Sequence, residues 1–102
     1  MKEPEAIIEV RFKTTVEGGR RDAIFGKDYR CPLFIDGEAF ECRIPLDGKT
    51  LQLGETYKLP VQFLFPDLVL PALSPGKLVV LWEGKEIATG TLVWSDNYAV
   101  FQ

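Results

Sequence analysis

Histidine is absent from this 102-residue sequence, which also contains only two cysteines and one methionine. A hydrolase of the Ser-His-Asp or Cys-His kind needs a base with a pKa near neutrality, and the missing histidine is the usual one. Cys31 and Cys42 are too few for a disulfide scaffold or a four-ligand zinc site. We therefore expect no metal, no cofactor and no enzymatic activity.

Long apolar runs are also missing. The two best candidates, residues 68–73 and 78–82, fall short of the roughly 20 residues that a membrane helix needs, and Pro71 interrupts the first. The N-terminal stretch MKEPEAIIEV contains acidic residues and Pro4, so it does not read as a signal peptide. We expect no membrane association and a cytoplasmic location.

The composition is that of an ordinary globular protein, with 46% hydrophobic and 26% charged residues. The length fits a single domain spanning residues 1–102. A formal net charge of -3 argues against nucleic-acid binding by the whole surface of the protein, but a local basic patch remains compatible with it.

The clearest local structure is a hairpin around Asp36-Gly37, a preferred pair for a two-residue type I′ turn. Counting from this turn places Cys31 opposite Cys42 and Leu33 opposite Phe40, with these side chains on the core face. The separation in such a pair permits a disulfide, but a reducing cytoplasm disfavours one. We predict two reduced, buried thiols without a catalytic role.

Alternation with a period of two residues runs through most of the chain and predicts an all-β fold. Residues 6–16 predict a strand that ends at Gly18-Gly19, and residues 55–65 predict another in which Pro60 marks an edge or a bulge. The prolines of residues 66–77 predict a loop over the mouth of a barrel or sandwich, followed by a second hairpin that turns near Glu83-Gly84. In the first strand segment, residues 6–16, one face is expected to carry Ile8, Val10, Phe12, Thr14 and Val16; the second, residues 55–65, alternates through Tyr57, Leu59, Val61, Phe63 and Phe65.

Five to seven short strands predict a closed barrel or a sandwich, because either one buries the strand edges. We expect a small antiparallel β-barrel of about six strands. Tyr98 and Val100 in the C-terminal segment add a possible last strand.

Two glycine-containing segments, Gly18-Gly19-Arg20-Arg21 and "DGKT" at 47–50, call for comparison with phosphate-binding loops. The second lacks the required upstream glycine, since Arg43 occupies that position, and neither segment precedes a predicted helix. Both are therefore interpreted as turns, and we expect no nucleotide binding.

The order of features from about Glu9 to Val93 resembles the C-terminal β-barrel domain, the third domain, of translation elongation factor Tu. The matching segments are Gly18-Gly19-Arg20, Ile24-Phe25, Tyr29-Arg30, "PLDG" at 45–48, Gly54-Glu55, the loop up to Gly76, "LVVLWEG" at 78–84 and "ATGTLV" at 88–93. The chain departs from the family pattern at Cys31, where the family has proline, and at Trp82, where it has a basic residue.

This resemblance implies a barrel that binds and does not hydrolyse GTP, because the family's GTPase lies in a first domain that this chain lacks. The family's third domain helps to hold the T-stem of aminoacyl-tRNA and also docks onto its own first domain and the exchange factor. Its RNA-facing pattern transfers to Arg30 and to the Glu83-Gly84 turn, while Arg20 matches the Gly-Gly-Arg segment.

Two functions follow as expectations. The first is a non-catalytic module that binds a protein partner through a sheet edge or an aromatic patch including Trp82. The alternative is a module that binds RNA, tRNA in particular, through phosphate contacts from Arg20, Arg21, Arg30 and Lys85. In a purely structural interpretation the arginines are solvated charges at strand ends and Trp82 packs in the core or lid. The candidate partner-binding residues are Arg20, Arg21, Tyr29, Arg30, Trp82, Glu83, Gly84 and Lys85.

Overall fold

A computed structural model of the chain describes residues 4–95, in which six strands close into an antiparallel barrel. The strand order around the barrel is β1-β4-β3-β2-β5-β6. This arrangement confirms the all-β fold class and the six-stranded barrel, while the possible strand through Tyr98 and Val100 lies outside the described residues. The elements are β1 (Ala6–Phe12), β2 (Asp28–Ile35), β3 (Glu38–Pro45), β4 (Thr56–Phe63), α1 (Pro66–Val69), a 3₁₀ turn (Leu70–Ala72), β5 (Leu78–Trp82) and β6 (Glu86–Ser95).

The core fills the inside of the barrel with alternate residues of each strand. Phe12 and Phe63 are its largest fully buried side chains, and aliphatic residues from all six strands surround them. Because successive residues of a strand point to opposite faces, the same strands also present a complete outer surface. A binding site formed by the faces of the strands therefore has to lie on that outer surface.

The hairpin of β2 and β3 has the register counted from the sequence. Cys31 lies opposite Cys42 and Leu33 opposite Phe40. Asp36 and Gly37 have φ angles of 49° and 87°, the left-handed conformation that a type I′ turn needs at both positions. The two cysteines are buried free thiols, as predicted.

The first strand is shorter than the alternation predicts. It ends at Phe12, and Thr14 and Val16 do not continue the inward face: Val16 is 98% exposed. A turn replaces the strand because the Glu17 carboxylate accepts the Thr14 amide at 2.8 Å, while Thr14 O accepts the Glu17 amide at 3.0 Å. Such local side-chain bonds to the backbone compete with a strand ladder.

Gly19 then folds back against the end of this strand. A Cβ atom at this position would lie 2.5 Å from the carbonyl oxygen of Lys13, closer than any side chain tolerates. The Gly18-Gly19 pair therefore has a structural role, since Gly18 supplies a φ of 94° and Gly19 supplies a close approach.

The segment after β4 was predicted as a loop without a helix. This is wrong, because the segment contains one short α-helix and one 3₁₀ turn. Pro66 begins the single turn of α1, and Pro71 lies in the first turn of the 3₁₀ segment. Proline is tolerated there because the first turn of a helix has no use for its missing N–H. Val69 and Leu73 are buried with the core residues, so the segment covers that end of the barrel as expected. Neither short helical segment in the described chain is long and apolar enough to cross a membrane.

Pro60 lies in β4 opposite Ile7 of β1. On its other side, β4 pairs with β3 only through Gln62 and Phe63. The stretch around Pro60 therefore has an open side, where a residue without an N–H leaves no ladder bond unmade. The prediction of an edge-like position is correct locally, although the barrel as a whole is closed.

Candidate functional site

Three of the predicted site residues meet at the end of the barrel where β1 ends and β2 begins. Arg20 and the hydroxyl of Tyr29 both donate hydrogen bonds to the same carboxylate oxygen of Glu83. The Arg20 guanidinium also lies 5.5 Å from the centroid of the Tyr29 ring. We call these three residues the Glu83 cluster; it ties the turn between β5 and β6 to β2 and to the preceding loop.

The backbone around Arg20 holds its side chain in place. Thr15 donates its hydroxyl to the carbonyl oxygen of Arg20 at 2.7 Å, and Arg20 Nε donates to the carbonyl oxygen of Asp22 at 3.1 Å. Burial, together with the hydrogen bond to Glu83, raises the pKa of Tyr29 well above its ordinary value of 10. The phenol is therefore a fixed donor, and the cluster functions as a structural connection.

The remaining predicted basic residues are not gathered into one patch of free positive charge. Arg21, Arg30 and Lys85 are exposed, but Arg30 Nε lies 3.9 Å from a carboxylate oxygen of Asp28. Asp28 also accepts a 2.7 Å hydrogen bond from Arg43, and this bond holds the pKa of Asp28 below its usual range. Acidic groups therefore alternate with the cations at this end of the barrel.

Trp82 lies on the outer surface and is 39% exposed. Its ring packs against Phe34 of β2, with the ring centroids 5.6 Å apart and the planes at 59°. Trp82 therefore belongs to an aromatic pair on the outer surface and does not pack in the core. Gly84 follows in the turn with a φ of 69°.

Trp82 forms one end of an apolar groove of about 340 Å³. The sequence singled out Trp82 but did not reveal the groove. Leu78, Val80 and Trp82 alternate along the outer face of β5, while Val79 and Leu81 between them are buried in the core. Phe34 lies opposite Val80 and forms the other wall. We call this surface the Trp82 groove.

Two carboxylates lie at the two ends of the Trp82 groove. The Asp36 amide donates to the Leu78 carbonyl at 3.1 Å, which places Asp36 beside one end, and Glu86 lies opposite Trp82 at the other. Of the described residues that line the groove, these are the charged ones. A signal for the groove was present in "LVVLW": five apolar residues in succession predict a strand that is apolar on both faces.

A larger depression of about 430 Å³ lies at the short seam between β3 and β4. Its guanidinium groups come from Arg30 and Arg43, and its apolar wall comes from Phe63 and Leu64. Arg43 donates to Asp28 and to Gln62, so two of its N–H groups are bound within the barrel. The seam therefore has a larger volume than the Trp82 groove, and its two guanidinium groups already lie beside Asp28 or Gln62.

Among the residues that the structure describes, no group of three or more histidine, cysteine, aspartate or glutamate side chains could hold a metal ion. The cysteine pair lies in the core, where the neighbouring Cys31 thiol and burial raise the pKa of Cys42.

Comparison with known proteins does not assign a function to the site. The sequence matches no protein-family model, and no curated protein is similar enough to it to indicate a relationship.

Proposed function

We propose that this chain is a non-catalytic binding module whose Trp82 groove receives an apolar segment of a partner protein. The observation that carries the proposal is the row of Leu78, Val80 and Trp82 on the outside of β5, backed by Phe34. Leu78 is 67% exposed although it belongs to a regular strand. Tryptophan in a concave apolar surface is the residue type that most often dominates a protein interface.

The energetic argument for a partner is the apolar area that the groove leaves in water. Covering a large apolar side chain contributes roughly 1.5–3 kcal/mol, and Leu78 and Trp82 both offer such area. The groove is built on two paired strands, so little backbone ordering opposes binding. A rigid surface of this kind fits a binding role better than a catalytic one, since its lining is mainly apolar and its two carboxylates lie at opposite ends of the groove.

RNA binding was the other expectation, and the charges at the barrel end support it less. Arg20 is neutralised by Glu83, and Arg30 lies beside Asp28. Protein binding therefore ranks first, and RNA is the competing outcome that the experiment below has to distinguish.

The resemblance to the third domain of elongation factor Tu is compatible with the closed barrel and supports a binding role. On that basis we place the module in the cytoplasm and propose a link to translation. The proposal for the Trp82 groove does not depend on this link, because Phe34, Leu78 and Trp82 carry it by themselves.

The test is photo-crosslinking inside the cells that produce the protein. p-Benzoylphenylalanine is placed at Leu78 in one variant and at Leu64 in a matched control. The two leucines are 67% and 65% exposed, but Leu64 follows β4 and lies across the barrel from β5. We expect a defined protein adduct from position 78 and none of the same mass from position 64.

The partner so identified is then purified and titrated against Trp82→Thr. We expect affinity to fall by at least about 30-fold, the effect of losing a central hot spot of about 2 kcal/mol. Equal adducts from both positions would contradict the proposal. An adduct that ribonuclease destroys would also contradict it and would favour RNA binding.

A further inference from the structure

We propose that the Trp82 groove selects a partner segment in which one apolar side chain lies between two basic side chains about 13 Å apart. This inference rests on the function proposed above and adds the chemistry of the partner to it. It follows from the positions of Asp36 and Glu86 at the two ends of the apolar row.

The spacing comes from β5 itself. Leu78 and Trp82 are four residues apart on β5, which separates them by roughly 13 Å at about 3.3 Å per residue, and the pairing with β6 shifts register between Leu81 and Trp82. Asp36 is fixed beside Leu78 by the 3.1 Å bond from its amide, and Glu86 is paired with Trp82. Because β2 and β6 lie on opposite sides of β5, the two acidic residues face each other diagonally across the apolar floor, with backbone positions roughly 16 Å apart at about 4.8 Å per strand spacing.

An extended polypeptide that crosses β5 diagonally can reach both carboxylates. Residues i, i+2 and i+4 of such a segment point to one face and span about 13 Å, and long Lys or Arg side chains cover the remaining distance. A segment of the pattern basic–x–apolar–x–basic therefore places its central side chain over Val80 and Phe34 and its two cationic groups over Asp36 and Glu86. A helical segment would need about nine residues to cover the same length.

Each carboxylate already has a lysine from the same chain nearby. Lys77 Nζ lies 3.7 Å from Asp36, and Lys13 Nζ lies 2.9 Å from Glu86. Both are solvent-accessible ion pairs, which contribute between about 0 and 1 kcal/mol. A partner cation can therefore displace or share either contact at small cost, and the two lysines act as competitors for the carboxylates.

The experiment is a selection of random heptapeptides displayed on phage against the immobilised native chain. We expect the binders to be enriched in Lys or Arg at positions i and i+4 around a large apolar residue at i+2. A parallel selection uses the double variant Asp36→Asn and Glu86→Gln. Both substitutions keep the side-chain shape, and Asn tolerates the left-handed conformation of position 36 as Asp does.

Among peptides selected on the double variant, we expect the enrichment of a large apolar residue at i+2 to persist and the enrichment of Lys or Arg at i and i+4 to disappear. A representative peptide, titrated against each single variant, should lose up to about fivefold in affinity per carboxylate. Lys77→Ala and Lys13→Ala should bind it as well as or more tightly than the native chain. Thermal unfolding of every variant checks that the barrel is intact.

The two proposals fail in different ways. Binders that Trp82→Thr abolishes but that show no basic enrichment would overturn this inference and leave the proposed function intact. Basic enrichment that survives the double variant would also overturn it, because the net charge of -3 would then explain the preference. The absence of any binder sensitive to Trp82→Thr would count against both proposals.

Discussion

Replacing Tyr29 with phenylalanine removes one hydroxyl from the Glu83 cluster and tests whether that cluster holds the barrel end together. The hydroxyl donates to the carboxylate of Glu83, 54 residues away in the chain. A hydrogen bond to a charged group contributes about 1.5–3 kcal/mol, and partial exposure of Glu83 reduces this, so we expect a loss of about 1–2 kcal/mol. The melting temperature should fall by about 5–10 °C.

The pH dependence of unfolding adds a second, independent measure. The pKa of Tyr29 is raised in the folded chain, so the native state keeps a proton that the unfolded state releases above pH 10. The stabilisation is therefore complete below pH 10 and is lost as the pH rises further. The free energy of unfolding should fall by at most about 1.4 kcal/mol per pH unit, and solvent screening at this half-buried site makes the fall smaller.

Urea unfolding of both proteins at intervals from pH 7 to pH 12 measures this slope directly. Tyr57→Phe is the matched control, because its hydroxyl oxygen accepts a 2.8 Å bond from the Gln52 amide without a charged partner. We expect the difference between native chain and Tyr29→Phe to shrink above pH 10. A variant as stable as the native chain at pH 7 would refute the structural role of the Glu83 cluster.

Three further predictions concern the core and the first turn. Cys31 and Cys42 should react slowly with a thiol reagent in the native state and fully after unfolding without reductant, because burial and a raised pKa of Cys42 leave little thiolate; loss of both thiols would reveal a disulfide instead. Gly19→Ala should destabilise the barrel by about 2 kcal/mol or more, since its Cβ would meet the carbonyl oxygen of Lys13 at 2.5 Å; unchanged urea unfolding would contradict this clash. Val16→Ala should change stability by less than about 0.5 kcal/mol, because the side chain is 98% exposed; a loss of 2 kcal/mol would instead favour a strand that continues inward.

The strands could be predicted from sequence where the determining contacts are local. Asp36-Gly37 sets its own turn and thereby the whole register of β2 and β3, including the Cys31 and Cys42 pair. The end of β1 was missed because the alternation continues to Val16 while the Glu17 carboxylate captures the backbone of Thr14. The helix was missed because four residues beginning at a proline carry no periodic signal.

The candidate site was predictable only in part, because it joins residues far apart in the chain. Trp82 and Glu83 stood out by residue type and by the family resemblance. The pairing of β2 with β5, which brings Phe34 opposite Val80, is non-local and has no signature in either segment. The contact of Glu83 with Arg20 and Tyr29 is non-local for the same reason.

The measurement that tests the proposed function most directly is a calorimetric titration of the crosslinked partner against Trp82→Thr and Trp94→Thr. The two tryptophans are 39% and 36% exposed, so the pair controls for loss of an exposed aromatic ring. A role for the Trp82 groove predicts at least about 30-fold weaker binding for Trp82→Thr and less than about twofold for Trp94→Thr. Equal affinities for the two variants would contradict it.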